Sequence, residues 1–343
     1  MKKLYEILEN LVSYPGISGR EDMAYEGLCD YLKTLGIFDE VGTTDVGSVY
    51  GIMRSKKDGV KTVMCDAHLD TVGFLVTEIL DGGFLRIATV GGIAAKILSA
   101  SPVDIHGDRK IRGVFVSKPP HLQTPGESEQ KQEVTDILID TGMPKEELEK
   151  IVRIGTPVSY NVLLDRLCGD NLAGAGFDDR LCGAAILRGL LDLDKESLGV
   201  NVAFLFSGGE EVGYKGAITG TYQINPDCAI VLDVTHAYLP DTPKVCERVR
   251  AGKGCVVAFS PKTNREFTKK SLALIEEKQI PVQLSTSPGR TGTNSGAITV
   301  TRSGVPVLQI SIPLKNMHTQ SEIVDMRDAM SAANAVTAVI ADM

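Results

Sequence analysis

Five groups of metal-ligating or proton-transferring side chains punctuate the chain. They are His68 with Asp70, Asp178 with Asp179, Glu210 with Glu211, Asp233, and His318. Imidazole nitrogens and carboxylate oxygens, with no thiolate, form a donor set for zinc, cobalt or manganese. A pair of such cations activates water and polarises a carbonyl, so convergence of the five groups would create hydrolytic chemistry. The groups spread over 250 positions (318 − 68), and only the fold could unite them. Most stand where an apolar run stops, which places them at strand ends over a rigid base.

Each group also has a plainer reading. In an extended His68-Leu69-Asp70, the first and third side chains share a face. The aspartate could then accept the imidazole's second N–H and fix its tautomer, although a strand-end histidine beside a turn would look the same. Asp178 and Asp179 open a helical stretch, where aspartate also serves as a cap. In the functional reading, one bridges two cations while the other, or Arg180, orients it. The run Ser207-Gly208-Gly209-Glu210-Glu211-Val212-Gly213 is the most specific. Adjacent glutamates after a buried strand repel one another, and one pKa rises unless a cation offsets them. That cation would take one as ligand and leave the other as general base. Asp233 closes the apolar residues 229–232, where a buried carboxylate needs a metal, Lys or Arg as partner. His318 follows the last buried strand and precedes a helix. His236 reads as a supporting or surface residue, and His106 and His121 as structural or loop residues.

Apolar periodicity shows what would carry these groups. Leu4, Ile7, Leu8 and Leu11 predict an amphipathic helix stopped near Pro15-Gly16, and residues 25–35 predict a second. Strands are predicted at 48–52 and 61–65. From about Phe74 to Tyr160, short strand-like runs (84–87, 102–105, 111–116, 156–160) alternate with Gly and Pro, as in a small barrel or sandwich. Residues 119–132 read as a polar surface loop and 144–152 as a short helix. Beyond Asp178 the pattern is α/β. Strands are predicted at 200–206, 228–234, 254–259, 281–284 and 305–312. Helices are predicted at 181–193, at 267–278 and from Ser321 to the end. Continuous apolar strands alternating with helices predict a sheet buried on both faces, interrupted by a β-rich insertion.

Composition narrows the partners. A net charge of −8, with no basic stripe, argues against nucleic acid and anionic membranes. Residues 1–9 mix glutamates among apolar residues, unlike a signal peptide, and no window reaches transmembrane length. Seven cysteines stand singly with no CxxC pair, which fits reduced thiols in a cytoplasmic protein.

The ordered set His68-x-Asp70, Asp178-Asp179-Arg180, Glu210-Glu211-Val212-Gly213, Asp233 and Met317-His318 resembles the tetrahedral (TET) aminopeptidases. This is the glutamyl aminopeptidase and "cellulase M" group of dinuclear metallopeptidases, peptidase family 42. Tyr14-Pro15-Gly16-Ile17-Ser18-Gly19 and Lys118-Pro119-Pro120-His121-Leu122 extend the likeness nearly end to end. The resemblance implies a zinc-peptidase-like α/β/α sandwich with a mixed sheet, formed by residues 1–70 and 165–343. A PDZ-like barrel for dimerisation would be inserted at 71–164. It also implies two divalent ions, zinc or cobalt first and manganese as the alternative. His68, Asp178 and Asp233 would hold one, and Asp178, Glu211 and His318 the other. Asp70 would orient His68, Glu210 would be the general base, and the Asp178–Asp179 peptide would be cis. Short peptides with a free N-terminus would be the substrates, and homo-oligomers from dimer to tetrahedral dodecamer the assembly. The chain departs from the family at Thr71, where Glu is usual, and at Asn294, where Gly-Thr-Asp-Ala is usual.

Two other readings compete. A dinuclear carboxypeptidase or deacylase shares the His-x-Asp and Glu-Glu pattern, but carries its second domain before the final histidine. Here the longer interval, 110 residues (178 − 68) against 85 (318 − 233), follows the first histidine instead. A non-catalytic assembly protein would lack a ligand or Glu210, and all are present. Glycan hydrolysis is disfavoured by the absence of Trp and of an aromatic sugar platform.

Overall fold

The computed structural model of the chain describes residues 1–124, 133–240, 248–289 and 292–343. Helix α1 (Lys2–Ser13) forms as its spacing predicts, with Leu4, Ile7, Leu8 and Leu11 buried. It stops at Tyr14, where ψ is 123°, because the ring of Pro15 disfavours a helical residue before it. Then come α2 (Tyr25–Thr34), β1 (Glu40–Thr43), β2 (Val49–Met53) and β3 (Thr62–His68). Short elements follow: β4 (Gly73–Ile79), β5 (Phe84–Val90), β6 (Pro102–His106), β7 (Lys110–Val116), β8 (Leu138–Asp140), α3 (Lys145–Leu148) and β9 (Pro157–Tyr160). Strands β10 (Asp165–Arg166) and β11 (Asn171–Gly174) lead to α4 (Phe177–Leu190). After it come β12 (Asn201–Ser207), α5 (Lys215–Ile224), β13 (Cys228–His236), β14 (Cys255–Phe259) and α6 (Arg265–Glu277). The chain closes with β15 (Val282–Thr286), α7 (Ser295–Ile298), β16 (Val307–Lys315), β17 (Glu322–Asp325) and α8 (Met326–Ala341).

Among the described residues the strands form two units. One is an 11-stranded mixed sheet with the path β1-β2-β12-β3-β13-β16-β17-β11-β10, with β14 and β15 added beside β16. The other is a closed antiparallel barrel, β4-β5-β8-β7-β6-β9. The β-rich insertion is therefore a barrel, and closing it leaves no sheet edge exposed. The barrel has its own core, built on Phe74, Leu85, Ile105, Phe115 and Ile139.

The mixed sheet is covered on both faces. Helices α1, α4 and α8 lie over one face, against Val63, Cys65, Phe204, Ile230 and Ile310. Helices α5 and α7 cover the other, where Ala217 and Ile298 meet Met64, Leu205 and Val231. Because strand side chains alternate, this second face reads every other residue. It runs Met64, Asp66, His68 on β3 and Ala203, Leu205, Ser207 on β12. On β13 it runs Ala229, Val231, Asp233, and on β16 Val307, Gln309, Ser311. These four strands are parallel neighbours, so their polar ends line up along one edge of the sheet. Ligands of parallel α/β sheets bind at that carboxyl edge.

The closing segment differs from its sequence reading. Residues 321–325 were expected to be helical, yet Glu322–Asp325 form β17. The β-branched Ile323 and Val324 favour a strand, and Val324 pairs with Leu314 on one side and Leu172 on the other. Helix α8 begins only after Asp325, whose side chain accepts from the Arg327 N–H. His318 therefore precedes a strand, not a helix. Helix α5 escaped sequence reading because Gly216, Gly220 and two threonines weaken its helical signal. Of the surface loop expected at 119–132, residues 125–132 lie outside the described residues, and Pro120–Leu122 forms a single 3-10 turn. No helix is long and apolar enough to cross a membrane, among the described residues.

Phe74 is fully buried in the barrel, with Phe115 and Tyr160 set edge-on at ring-centroid distances of 5.0 and 5.6 Å. Replacing it should leave a cavity that the closed barrel cannot collapse. Phe74→Ala is expected to cost about 3–5 kcal/mol of unfolding free energy. Urea denaturation followed by circular dichroism measures it.

Candidate metal centre

His68 ends β3 and is 2% exposed. Its Nδ1 lies 2.8 Å from the main-chain oxygen of Asp70, and its Nε2 lies 3.0 Å from Asp178 Oδ1. His318, in a left-handed turn at φ 63°, has the same arrangement. Its Nδ1 is 2.8 Å from the oxygen of Gly92, just beyond barrel strand β5. Its Nε2 is 3.2 Å from Asp178 Oδ2 and 3.0 Å from Glu211 Oε1.

A carbonyl can only accept, so both Nδ1 atoms carry hydrogen. A neutral ring then has its lone pair on Nε2, aimed at carboxylate oxygens. Such a contact is favourable only with positive charge between the two. A proton can supply it, and both imidazoles accordingly hold protons far more tightly than usual. Burial opposes this at His68, but the Asp178 hydrogen bond and the charges of Asp179 and Glu210 outweigh it. His318 is pushed up to about 11, with burial overcome by Asp178 and Glu211. A divalent cation would answer the same demand and meet oxygens already facing it.

The donor atoms fall into sets whose members all lie within 4.8 Å of one another. These are His68, Asp178 and Asp233; Asp178, Glu211 and His318; and His68, Glu210 and Glu211. Asp178 belongs to the first two, so its two oxygens stand between two nests. The expected ligands converge, and the residues fit a pair of cations.

The electrostatics report how acidic this pocket is. Burial, followed by the neighbouring charges of Asp179 and Glu210, raises Asp233 well above the carboxylate range. Glu210 is pushed up to about 7 by burial, with Glu211, Asp178 and Asp70 adding to the shift and His68 opposing it. Asp178 is buried too, yet hydrogen bonds from His318 and His68 hold it below the usual range.

The supporting groups are as specific as the ligands. The Asp178–Asp179 peptide is cis, and both residues lie outside helical geometry, so the regular turns of α4 begin after them. Asp179 accepts the His68 main-chain N–H at 3.1 Å. Arg180, 2% exposed, donates to the carbonyls of Leu69, Leu11 and Tyr14, tying α1 to the turn beyond His68. Burial lowers its pKa to about 10, which still leaves a cation beneath the acids.

The Asp70 carboxylate was expected to take the His68 imidazole hydrogen, but its main-chain oxygen does so. The carboxylate instead accepts the N–H groups of Glu210 at 3.0 Å and Glu211 at 3.3 Å, and the Ser18 hydroxyl at 2.6 Å. It orients the glutamates. Gly208 makes that turn possible: a Cβ there would sit 1.8 Å from the oxygen of Gly47. His236 is exposed, and His106 pairs with Ser159 in the barrel, where both line the cavity that Asp178 and His318 also border.

Two supporting residues had no sequence signal of their own. Ser18 lies within the Tyr14–Gly19 motif, whose purpose only the contact with Asp70 reveals. Glu322, 2% exposed on β17, accepts the N–H groups of Phe177 at 2.7 Å, Asp178 at 3.3 Å and His318 at 2.9 Å. It thus binds the Asp178 turn to the His318 turn.

Known proteins resemble this chain along its whole length. The family model described as M42 glutamyl aminopeptidase matches residues 47–334. The lysyl aminopeptidase of Pyrococcus furiosus is 30% identical over 345 residues, covering 99% of this chain and 97% of the relative. A solved aminopeptidase from the archaeon Desulfurococcus kamchatkensis superposes with a TM-score of 0.91 at 30% identity, over 100% of this chain and 95% of that one. The TET1 peptidase of Pyrococcus horikoshii, described as assembling into a tetrahedron or a large octahedral shell, superposes with a TM-score of 0.84. It is 26% identical over 98% of this chain and 99% of its own.

Glu322→Gln replaces one of two acceptor oxygens with a donor, so at least one of the three N–H groups loses its partner. The expected loss is about 1–3 kcal/mol of unfolding free energy. Urea denaturation in excess chelator measures it without interference from bound ions.

Proposed function

The chain belongs to the M42 glutamyl aminopeptidase family, and on that premise we propose that it removes residues from the free N-terminus of short peptides in a metal-dependent reaction. The observation that carries this reading is the pair of imidazole Nε2 atoms directed at the two oxygens of one buried carboxylate. His68, Asp178 and Asp233 would hold one divalent ion, and Asp178, Glu211 and His318 the other, with Asp178 shared. Zinc or cobalt suits these donors first, and manganese next. When bound, the ions supply Lewis acidity toward water and toward the scissile carbonyl.

The protein's own groups do the rest. Glu210 takes the proton from the attacking water and passes it to the leaving amine. A buried carboxylate beside the attacking water can accept its proton and return it to the leaving group. Asp70 keeps Glu210 and Glu211 in place through their main-chain N–H groups, and Ser18 steadies Asp70. The substrate's free α-amine could also ligate a bound ion, which would confine cleavage to the first residue of a peptide.

We assign the catalytic unit to residues 1–70 and 165–343 and the inserted barrel, 71–164, to self-association. The assembly described for the Pyrococcus horikoshii neighbour supports a homo-oligomer, from dimer to tetrahedral dodecamer. The free thiols of Cys29, Cys65, Cys168, Cys182, Cys228 and Cys255 fit a cytoplasmic setting.

A panel of aminoacyl chromogenic substrates, assayed with cobalt, zinc or manganese, tests the activity. Chelation should abolish cleavage and re-addition restore it, while N-acetylated substrates should resist. Glu210→Gln is expected to lower kcat by about 10²–10⁴-fold. Equal cleavage of blocked and free substrates, or an unaffected Glu210→Gln, would refute the proposal.

A further inference from the structure

Beneath His68 and Glu210 lies a polar cluster distinct from the ligands. Asp66 is fully buried on β3, two residues before His68. Ser207 ends β12, three residues before Glu210 and level with His68 across the parallel pairing. Asn294 enters at the start of α7 and is 2% exposed. Its Nδ2 donates to Asp66 Oδ2 at 2.9 Å and to Ser207 Oγ at 2.8 Å. An amide nitrogen has two N–H groups, and both are engaged. Turning the amide over would set its oxygen against the carboxylate, so Asp66 dictates its orientation.

The cluster grips both catalytic turns at their roots. The Ser207 carbonyl accepts the Leu69 N–H at 2.7 Å, and the next N–H, of Gly208, is held by Ser48 Oγ at 3.2 Å. A displacement of Ser207 against Asp66 would therefore move Glu210 relative to His68. An apolar residue at 294 would leave the Asp66 carboxylate buried without this donor. An aspartate would set two carboxyl groups at contact distance, where a single shared proton would have to replace the two N–H groups that the amide donates.

We propose that Asn294 is a positioning residue, stapling the end of β3 to the end of β12 and so fixing the spacing of His68 and Glu210. The pair 66/294 then accepts one carboxylate and one amide, in either order, but not two carboxylates. This inference rests on the aminopeptidase reading of those two groups.

Three variants test it: Asn294→Asp, Asp66→Asn, and the double exchange. For each, kcat and KM are measured on an aminoacyl chromogenic substrate, with cobalt binding by visible absorption and the melting temperature by circular dichroism. Asn294→Asp should lower kcat about 100-fold, the scale of an ångström's misplacement, and leave KM within about threefold. In Asp66→Asn the new amide oxygen still accepts from Asn294, so kcat should stay within about fivefold of the parent. The double exchange should recover at least about tenfold over Asn294→Asp, which independent effects could not produce. A double variant no better than Asn294→Asp, or parental kcat in Asn294→Asp, overturns the staple. If Asn294→Asp does not fold, a folded and active double variant supports the pairing and an unfolded one overturns it. Failure of the aminopeptidase reading is separate, and is seen as a parent inactive on every substrate. Recovery of melting temperature and cobalt binding in the double variant would then still support the pairing, and its absence would overturn it.

Discussion

Asp70, Asp178, Asp179, Glu210, Glu211 and Asp233 crowd one edge of the sheet, and their mutual repulsion is the constraint the surrounding structure answers. The repulsion is met in more than one way. Asp70 receives two N–H groups and a hydroxyl, while Asp178 faces two imidazoles. Glu210 and Asp233 yield by holding their protons more tightly. Arg180 adds a buried cation below them. Such a site is stable only if its walls cannot relax, which is why its residues rise from parallel strands clamped between two helical layers.

The same sheet explains how much could be read from the chain. Most of the candidate ligands follow an apolar run because strands buried on both faces carry most of their polar residues toward their ends. His68, Ser207 and Asp233 therefore announced themselves as breaks in hydrophobicity. The barrel was legible as dense short strands, though its closure depends on β4 and β8, which carried little signal alone. Glu322 was not legible, because nothing local distinguishes a glutamate that satisfies three remote N–H groups from one at the surface. Strand β17 was absorbed into the helix after it, since its pairing with β11 and β16 is non-local. Spacing and the family resemblance both point the Asp70 carboxylate at the imidazole. Residue spacing cannot tell a side-chain oxygen from the carbonyl of the same residue.

Asn294 is a further case. In isolation it is a departure from the family's Gly-Thr-Asp-Ala sequence at an acidic position. With Asp66 opposite, the departure has a partner, because a buried carboxylate already occupies that place.

The hydrogen bond from His318 to the oxygen of Gly92 has a wider consequence. Gly92 belongs to the barrel's side of the molecule, while His318 belongs to the sheet, so this imidazole's tautomer is chosen by a neighbouring unit. The insertion is thus no passive appendage: its seating against the sheet is built into the chemistry of the site. Whatever steadies the barrel would at the same time steady the His318 imidazole. The seating of the barrel and the orientation of the His318 imidazole share a single atom.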